Sequence, residues 1–298
     1  MPLKYTLLPL FLALMAAGCS SEPEPMRIQR LDSALADGEM TAADSAAFKA
    51  WSEIAAFSGS PAEYAGRTAP FEALVIGSIG SLDSVERVLG YALDDDGLKA
   101  VGVVSPYSQS VVTHPDGYLF IALNHYLGPE SAAYAGFPEY LRRQKVMERM
   151  PVDAVMGVIA SKNEPQFRSD ATLLNHLLYR GALLNQTLRA LPPKTAEAVV
   201  LGMTEQDYDW CAANEAKIWK TLIERKLLYS SDPEAIDRLT RPAPSSPLIA
   251  LEAPGQAALY CALKLAQAYE DATGKEALPE PDFYNNRQTL VKSSYAPN

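Results

Sequence analysis

Ser110-Val-Val-Thr-His-Pro-Asp-Gly-Tyr-Leu-Phe-Ile-Ala-Leu123 is the stretch that decides the fold. Two runs rich in β-branched and aromatic residues, Ser110 to His114 and Tyr118 to Leu123, flank Pro115-Asp116-Gly117. Such side chains suit a pleated surface, and the turn supplies a fixed φ and then a residue free to take the left-handed region, so a β-hairpin is predicted. Outward from it the period changes to that of a helix. Upstream, Ala47, Trp51, Ile54 and Phe57 recur at helical spacing within 44–57, and 81–91 reads as a second helix. Beyond Pro138 the chain is almost all helix, over 152–161, 171–190, 194–201, 204–228, 233–239 and 255–272. Thr204, with Asp207 three residues on, resembles a capping arrangement at the start of the longest. Pro192-Pro193, Ser231-Asp232-Pro233 and the proline-rich 241–247 mark the loops between. The expectation is one α+β domain over 26–298, mostly helical, with a small antiparallel sheet near its middle.

The first residues speak of location. Lys4 is the only charge before an apolar run from Tyr5 to Ala17, which stops at Gly18-Cys19-Ser20-Ser21. A short basic start, an apolar stretch and a small-residue cleavage site make a signal peptide over 1–18. The run is too short to span a bilayer, which takes about 20 residues. Gly followed by Cys is the bacterial lipoprotein pattern, in which the Cys19 thiol is diacylated and becomes the lipid anchor. Ala16 stands where such a pattern more often has Leu; secretion with cleavage after Gly18 is the alternative. Ser20 to Pro25, polar and broken by proline, is a tether over 19–25 that cannot build a core. The protein is therefore expected in the cell envelope, joined to the lipid bilayer through acylated Cys19.

Composition narrows the partners. A formal charge of -10 argues against nucleic acid, which is not drawn to a net-acidic body. With Cys19 carrying lipid, Cys211 and Cys261 remain, and both a disulfide and two buried thiols fit their helical, apolar neighbourhoods.

Several chemistries lack their residues. There is no phosphate-binding glycine loop ending in Lys-Ser/Thr, no dinucleotide fingerprint and no Gly-x-Ser-x-Gly elbow. Asp94-Asp95-Asp96-Gly97 lacks the alternation and closing Glu of a calcium loop, and reads as an acidic turn. His114 precedes the Pro-Asp-Gly turn and is expected to cap it or face solvent. His176 lies in Leu173-Leu174-Asn175-His176-Leu177-Leu178-Tyr179-Arg180, where a zinc peptidase would need Glu at 177 and His at 180. Arginine stays protonated and cannot ligate zinc, so His176 reads as a boundary residue beside an apolar stripe. No metal and no cofactor are expected.

Two carboxylates stand out. Glu215 falls inside the stripe Tyr208, Cys211, Ala212, Ile218, Trp219, Leu222, where a carboxylate must be paired, hydrogen-bonded or protonated. Either it ties down another helix through an Arg or Lys, or it belongs to a polar site. Glu252, just before Ala253-Pro254-Gly255, is either an anchor for the following helix or an ordinary acid at a helix N-terminus.

Taken in order, the segments resemble a known family. Leu123-Asn124-His125-Tyr126-Leu127-Gly128, then Tyr134 and Pro138-Glu139-Tyr140, look like the strand and Tyr-Leu-Gly signature of the gliding-motility lipoprotein GldB family of Bacteroidota. Met203-Thr204-Glu205 through Asn214-Glu215 to Ile218-Trp219 and Leu227-Leu228-Tyr229-Ser230 resemble its long helix and exit. Pro254-Gly255 with Tyr269, Ser293-Ser294-Tyr295-Ala296-Pro297, and the opening Met26 to Asp32 complete the likeness. The chain departs from the pattern at Asn124, where the family usually has Asp, and at Ala182, where it usually has Lys. A salt bridge lost as a unit is one account. The late-helix positions that are small or tryptophan in the family read Ala258, Tyr260, Ala262 and Leu263.

What the resemblance implies is a lipoprotein needed for gliding, associated with envelope proteins of the motility and type IX secretion machinery, with no established reaction. It also implies a fold distantly zincin (metallopeptidase)-like without His-Glu-x-x-His. The expected function is binding of envelope partners without catalysis, with Asn124, His176, Glu215 and Glu252 as candidate structural or polar site residues. The alternatives are a metal-dependent peptidase-like hydrolase with scattered ligands His176, Glu215 and Glu252, and a solute-binding lipoprotein. Tyr126, Tyr134 and Trp219 are of the type that anchors interfaces, with core packing the plainer role.

Overall fold

A computed structural model of the chain describes residues 23–297. The expected signal peptide over 1–18, Cys19 and the first part of the expected tether lie outside the described residues. A two-residue strand β1 (Gln29–Arg30) leads into four helices: α1 (Leu31–Asp37), α2 (Ala42–Ile54), α3 (Pro61–Ser78) and α4 (Asp83–Leu93). Helix α2 begins in a capping box, Asp44 N–H donating to Thr41 Oγ1 and Thr41 N–H to the Asp44 carboxylate. Ser60 and Glu63 form the same device at α3. Helix α3 is absent from the sequence reading because Gly66, Pro70 and Gly77 interrupt its apolar period. Its legible signal is the cap, Ser60 followed by Pro61 and by Glu63.

The sheet comprises β1, β2 (Lys99–Val103), β3 (Val111–His114) and β4 (Tyr118–Ala122), in the order β1-β2-β4-β3. The predicted hairpin forms: β3 and β4 are antiparallel with His114 opposite Tyr118, and Gly117 takes φ +80° at the turn. His114 caps that turn, accepting the Asp116 N–H at 3.2 Å. The rest of the sheet corrects the antiparallel expectation, since β2 runs parallel to both β4 and β1. Burial on both faces is the reason. Val101, Val103, Tyr118 and Phe120 meet Leu31, Phe48, Trp51 and Tyr64 in one core, whereas Ala100, Val104, Leu119 and Ile121 join the larger core of the helical half. Helices on both faces are the setting in which parallel strands with helical crossovers occur, here α1 to α4 between β1 and β2. The mostly helical α+β reading stands, with a mixed sheet sandwiched between two helical layers.

Downstream follow α5 (Glu139–Arg142), α6 (Arg149–Lys162), α7 (Leu173–Ala190), α8 (Glu197–Leu201), α9 (Glu205–Ala213) and α10 (Glu215–Glu224). The chain then forms α11 (Pro233–Thr240), α12 (Ala257–Thr273), α13 (Pro281–Tyr284) and α14 (Thr289–Ser293). Helices α7 and α12 touch backbone to backbone. A Cβ on Gly181 would stand 2.1 Å from the Ala262 carbonyl oxygen, so only glycine permits this approach. The helix expected over 204–228 is two helices. At Asn214 the backbone leaves the helical region (φ -117°), and the side-chain amide donates to the Trp210 carbonyl at 2.8 Å, a local bond that competes with the helical ladder. Among the described residues no helix is long and apolar enough to cross a membrane.

Candidate functional site

The chain leaves β4 through Leu123-Asn124-His125, and this exit is pinned from several sides. Asn124 is buried and uses both ends of its amide on one residue: Ser105 N–H donates to Oδ1 at 2.9 Å, and Nδ2 donates to the Ser105 carbonyl at 2.8 Å. It thereby imitates a backbone bridge to the end of β2. The Tyr134 hydroxyl donates to the Asn124 carbonyl (2.7 Å) and accepts the Leu127 N–H (3.1 Å). The Asn124 amide is a complete local clamp, which accounts for Asn here without any lost partner at Ala182.

Tyr126 carries this order outward. It is fully buried, and its hydroxyl donates to Asp153 Oδ2 at 3.0 Å. Burial and the neighbouring carboxylate push this phenol well above its ordinary range, so it remains a donor. The other oxygen of Asp153 accepts from Arg149 one helical turn earlier on α6. The Arg149 guanidinium in turn donates to the Val199 and Val200 carbonyls, satisfying the open C-terminal end of α8. A chain of bonds thus runs from the Tyr-Leu-Gly turn through Tyr126 and Asp153 to Arg149.

Arg149 borders a cleft of about 340 Å³. Tyr140, Arg143 and Gln144 flank it from α5 and its exit, Thr204 and Asp207 from the start of α9, and Gln256 from the start of α12. Asp207 N–H donates to Thr204 Oγ1 at 3.0 Å, which is the predicted cap. Gly255 fits only as glycine: a Cβ would lie 1.7 Å from the Ala243 carbonyl oxygen. Gln256 holds φ +66° immediately before α12, a left-handed conformation that non-glycine residues adopt only where surrounding structure enforces it. The cleft carries charges of both signs, Arg143 and Arg149 against Glu148 and Asp207. Its rim combines Tyr140, Thr204 and Gly255, which come from three of the separated segments that carry the family resemblance. Nothing in the periodicity of the sequence brings these together. The sequence reading missed Arg149 and Asp153, for which the one available signal was their i, i+4 spacing.

The other candidates lie away from the cleft. Glu215 opens α10 and is held by two phenols, Tyr295 Oη at 2.7 Å and Tyr260 Oη at 3.3 Å. Burial raises both hydroxyls far above the usual phenol value, so they stay protonated and donate. The expectation of an Arg or Lys partner is corrected: neutral donors satisfy the carboxylate without desolvating a second charge. Tyr295 also packs edge-on against Trp219, with centroids 4.9 Å apart, so the terminal segment is fastened to α10 twice. Cys211 and Cys261 are both buried free thiols, and burial pushes Cys211 up to about 12.

His176 is half-buried and stacked on Phe167, centroids 3.9 Å apart; burial and then the Arg180 charge hold its pKa below the ordinary imidazole value. Glu252 is exposed and pairs with Lys217 at 2.8 Å, a surface ion pair of little energetic weight. Among the described residues no three His, Cys, Asp or Glu side chains come together as a metal-holding group. His176, Glu215 and Glu252 are each engaged elsewhere and do not form a ligand set. Tyr126, Tyr134 and Trp219 are all buried and serve the core.

One polar pair was not foreseen. Ser110 Oγ and His125 Nδ1 are 2.8 Å apart, with Lys145 Nζ 3.4 Å from the same nitrogen. Burial and then the Lys145 charge pull His125 down to about 4, which leaves the imidazole neutral near pH 7. Neither Ser110 nor His125 borders the cleft.

A family model described as gliding motility protein GldB matches residues 96–297, which include every cleft residue and the whole chain of bonds beneath it. No curated protein and no solved structure matches the chain.

Proposed function

The chain belongs to the gliding motility protein GldB family, and from that premise we propose that it is a lipid-anchored envelope protein that supports motility and type IX secretion by binding other envelope proteins, without catalysis of its own. The observation that carries this reading is the convergence at the cleft. Segments around Tyr140, Thr204 and Gly255, separated along the chain, meet at one opening, and the Tyr126–Asp153–Arg149 chain braces it. Two of its polar groups hold backbone: Arg149 the end of α8 and Thr204 the start of α9. A rigid, mixed-charge opening of this kind suits recognition of a protruding segment of a partner. Acylated Cys19 would hold the body at the bilayer, with residues 19–25 as the spacer.

The test is crosslinking and affinity purification of the intact protein from its native membranes, beside Cys19→Ala and a Tyr140→Ala/Arg143→Glu cleft variant. Arg143 is exposed and Tyr140 half-buried, and neither takes part in the Arg149 bracing. Motility or secretion subunits should be recovered with the unmodified protein and reduced about tenfold or more with the cleft variant. Cys19→Ala should leave the membrane fraction. Equal recovery with the cleft variant would reject the cleft as the binding site, and recovery of the protein alone would reject the interaction role.

A further inference from the structure

A second opening lies in the N-terminal helices, and of its lining residues Val104 alone falls within the residues matched by the family. A groove of about 430 Å³ runs between α1 and α3. Gly66, Ala69 and Ala73 on α3 are small and leave it open, while Leu35 and the exposed Ile76 supply apolar walls. Two carboxylates border it. Asp32 is fully buried and already matched by Arg30, whose Nε and NH2 reach it at 2.8 and 2.6 Å. Glu72 is different: it is 6% exposed, and its Oε1 is buried with no hydrogen-bond partner among the described residues. Pro70 cannot donate to the Gly66 carbonyl one turn back, so α3 lacks one helical hydrogen bond beside the groove. Among the described residues lining the groove, the hydroxyls are committed, Tyr64 donating to the Val104 carbonyl and Thr68 to the Tyr64 carbonyl. Among the described residues lining the groove, Glu72 is therefore a buried acceptor without a side-chain donor, next to an apolar channel.

We propose that this groove binds an organic cation on an unbranched apolar stem, an alkylammonium such as a lysine side chain carries, with the ammonium against Glu72 and the stem along α3. An ammonium brings three donors to a carboxylate oxygen that has no hydrogen-bond partner, and a positive charge beyond that of Arg30, which is already bonded to Asp32. The apolar walls match a methylene stem, which buries its length while its head stays polar. The charged groups that face Glu72 are Asp32 and Asp37 from α1 and Arg30 from β1; His125, on the turn that α3 also touches, is bonded to Ser110. Burial and then the Asp32 charge push Glu72 up to about 7. A cation favours the ionised carboxylate, so binding tightens as pH rises through 7.

The experiment is titration calorimetry on the full chain in detergent, with pentylammonium chloride as the probe and pentanol as its neutral counterpart. Pentylammonium should bind one to one, and about tenfold more weakly at pH 6 than at pH 8, because Glu72 is then mostly protonated. Pentanol, and the variants Glu72→Gln and Ala69→Trp, should each lower the affinity at least tenfold. Ala69 is exposed, so its replacement fills the groove without disturbing the core and guards against misfolding of the Glu72 variant. Absence of binding, equal binding of pentanol, or unchanged affinity in both variants would overturn the proposal. A capped Ala-Lys-Ala peptide separates the sources. Binding of the peptide as well as the amine assigns the groove to a lysine of a partner protein, and binding of the amine alone assigns it to a free alkylamine.

Discussion

Replacing Asn124 by Asp exchanges the NH₂ that donates to the Ser105 carbonyl for an oxygen that cannot donate while ionised. In the folded protein that oxygen would face the carbonyl at the 2.8 Å now occupied by a hydrogen bond. Asn124 is 5% exposed and Ser105 1%, so water does not relieve the clash. Two routes are open to the variant. It can stay ionised, lose a buried bond and desolvate a charge, at a cost of about 3 kcal/mol or more. Alternatively it can take up a proton and become a near replica of Asn, which from an unfolded pKa of about 3.9 costs about 5.6 kcal/mol at pH 8 and about 1.5 kcal/mol at pH 5. The cheaper route wins at each pH. The expected deficit against the unmodified chain is therefore about 3 kcal/mol above pH 6, about 1.5 kcal/mol at pH 5 and about 0.5 kcal/mol at pH 4. The sign follows from linkage: the folded pKa of the new acid lies above its unfolded value, so between the two the folded state holds a proton that the unfolded state lacks, and the deficit shrinks as pH falls. Urea denaturation of both proteins at pH 8, 6, 5 and 4 measures it. Equal stability at pH 8, or a deficit that does not change with pH, would refute the clamp. Because the Asn124 amide is satisfied locally, adding Ala182→Lys should give additive effects in a double-mutant cycle, whereas a lost ion pair would be rescued by it.

Three further outcomes follow from the same structure. Tyr295→Phe removes the 2.7 Å bond to Glu215 but keeps the ring against Trp219, so stability should fall by about 1–3 kcal/mol with little change in Trp219 fluorescence; an unchanged urea midpoint would contradict the role assigned to this hydroxyl. Gly181→Ala drives a methyl into the Ala262 carbonyl and should cost about 3 kcal/mol, read from thermal or urea unfolding, despite alanine's better helix propensity; a neutral result would mean that α7 and α12 can part freely. Glu72→Gln should stabilise the protein by about 2 kcal/mol at pH 8 and make no difference near pH 4, because Glu72 is pushed up to about 7 in the folded state and its unpartnered ionised form opposes folding as pH rises from its unfolded value; a stability gain that is absent at pH 8 would show the carboxylate to be compensated.

Local chemistry made much of the architecture legible. The Pro115-Asp116-Gly117 hairpin, the helical half beyond Pro138 and the Thr204 cap all rest on residues within a few positions of one another, where backbone sterics and 3.6-residue periodicity act directly. The ordered string from Leu123 to Pro297 carried the family. Strand β2 and helix α3 were not legible for a physical reason: five residues around Gly102, and a helix interrupted by Gly66 and Pro70, owe their conformations to the layers that cover them. The same holds for the parallel pairing of the sheet. Alternation along β4 fixes which residues share a face, but burial of both faces is decided only when α1 to α3 fold over one side and the helical half over the other.

The site divides along the same line. The sequence by itself determined that Glu215 needs partners, since a carboxylate in an apolar stripe cannot stand alone. Only the tertiary structure decided that they are two tyrosines, one of them 80 residues away. It likewise turned Asn124 from a missing charge into a backbone clamp, joined Tyr126 to Arg149 through Asp153, and left Glu72 unpartnered at the edge of a groove. Covalent order sets which side chains demand a hydrogen bond; which group answers depends on contacts between residues far apart in sequence, and those exist only once the helices have packed.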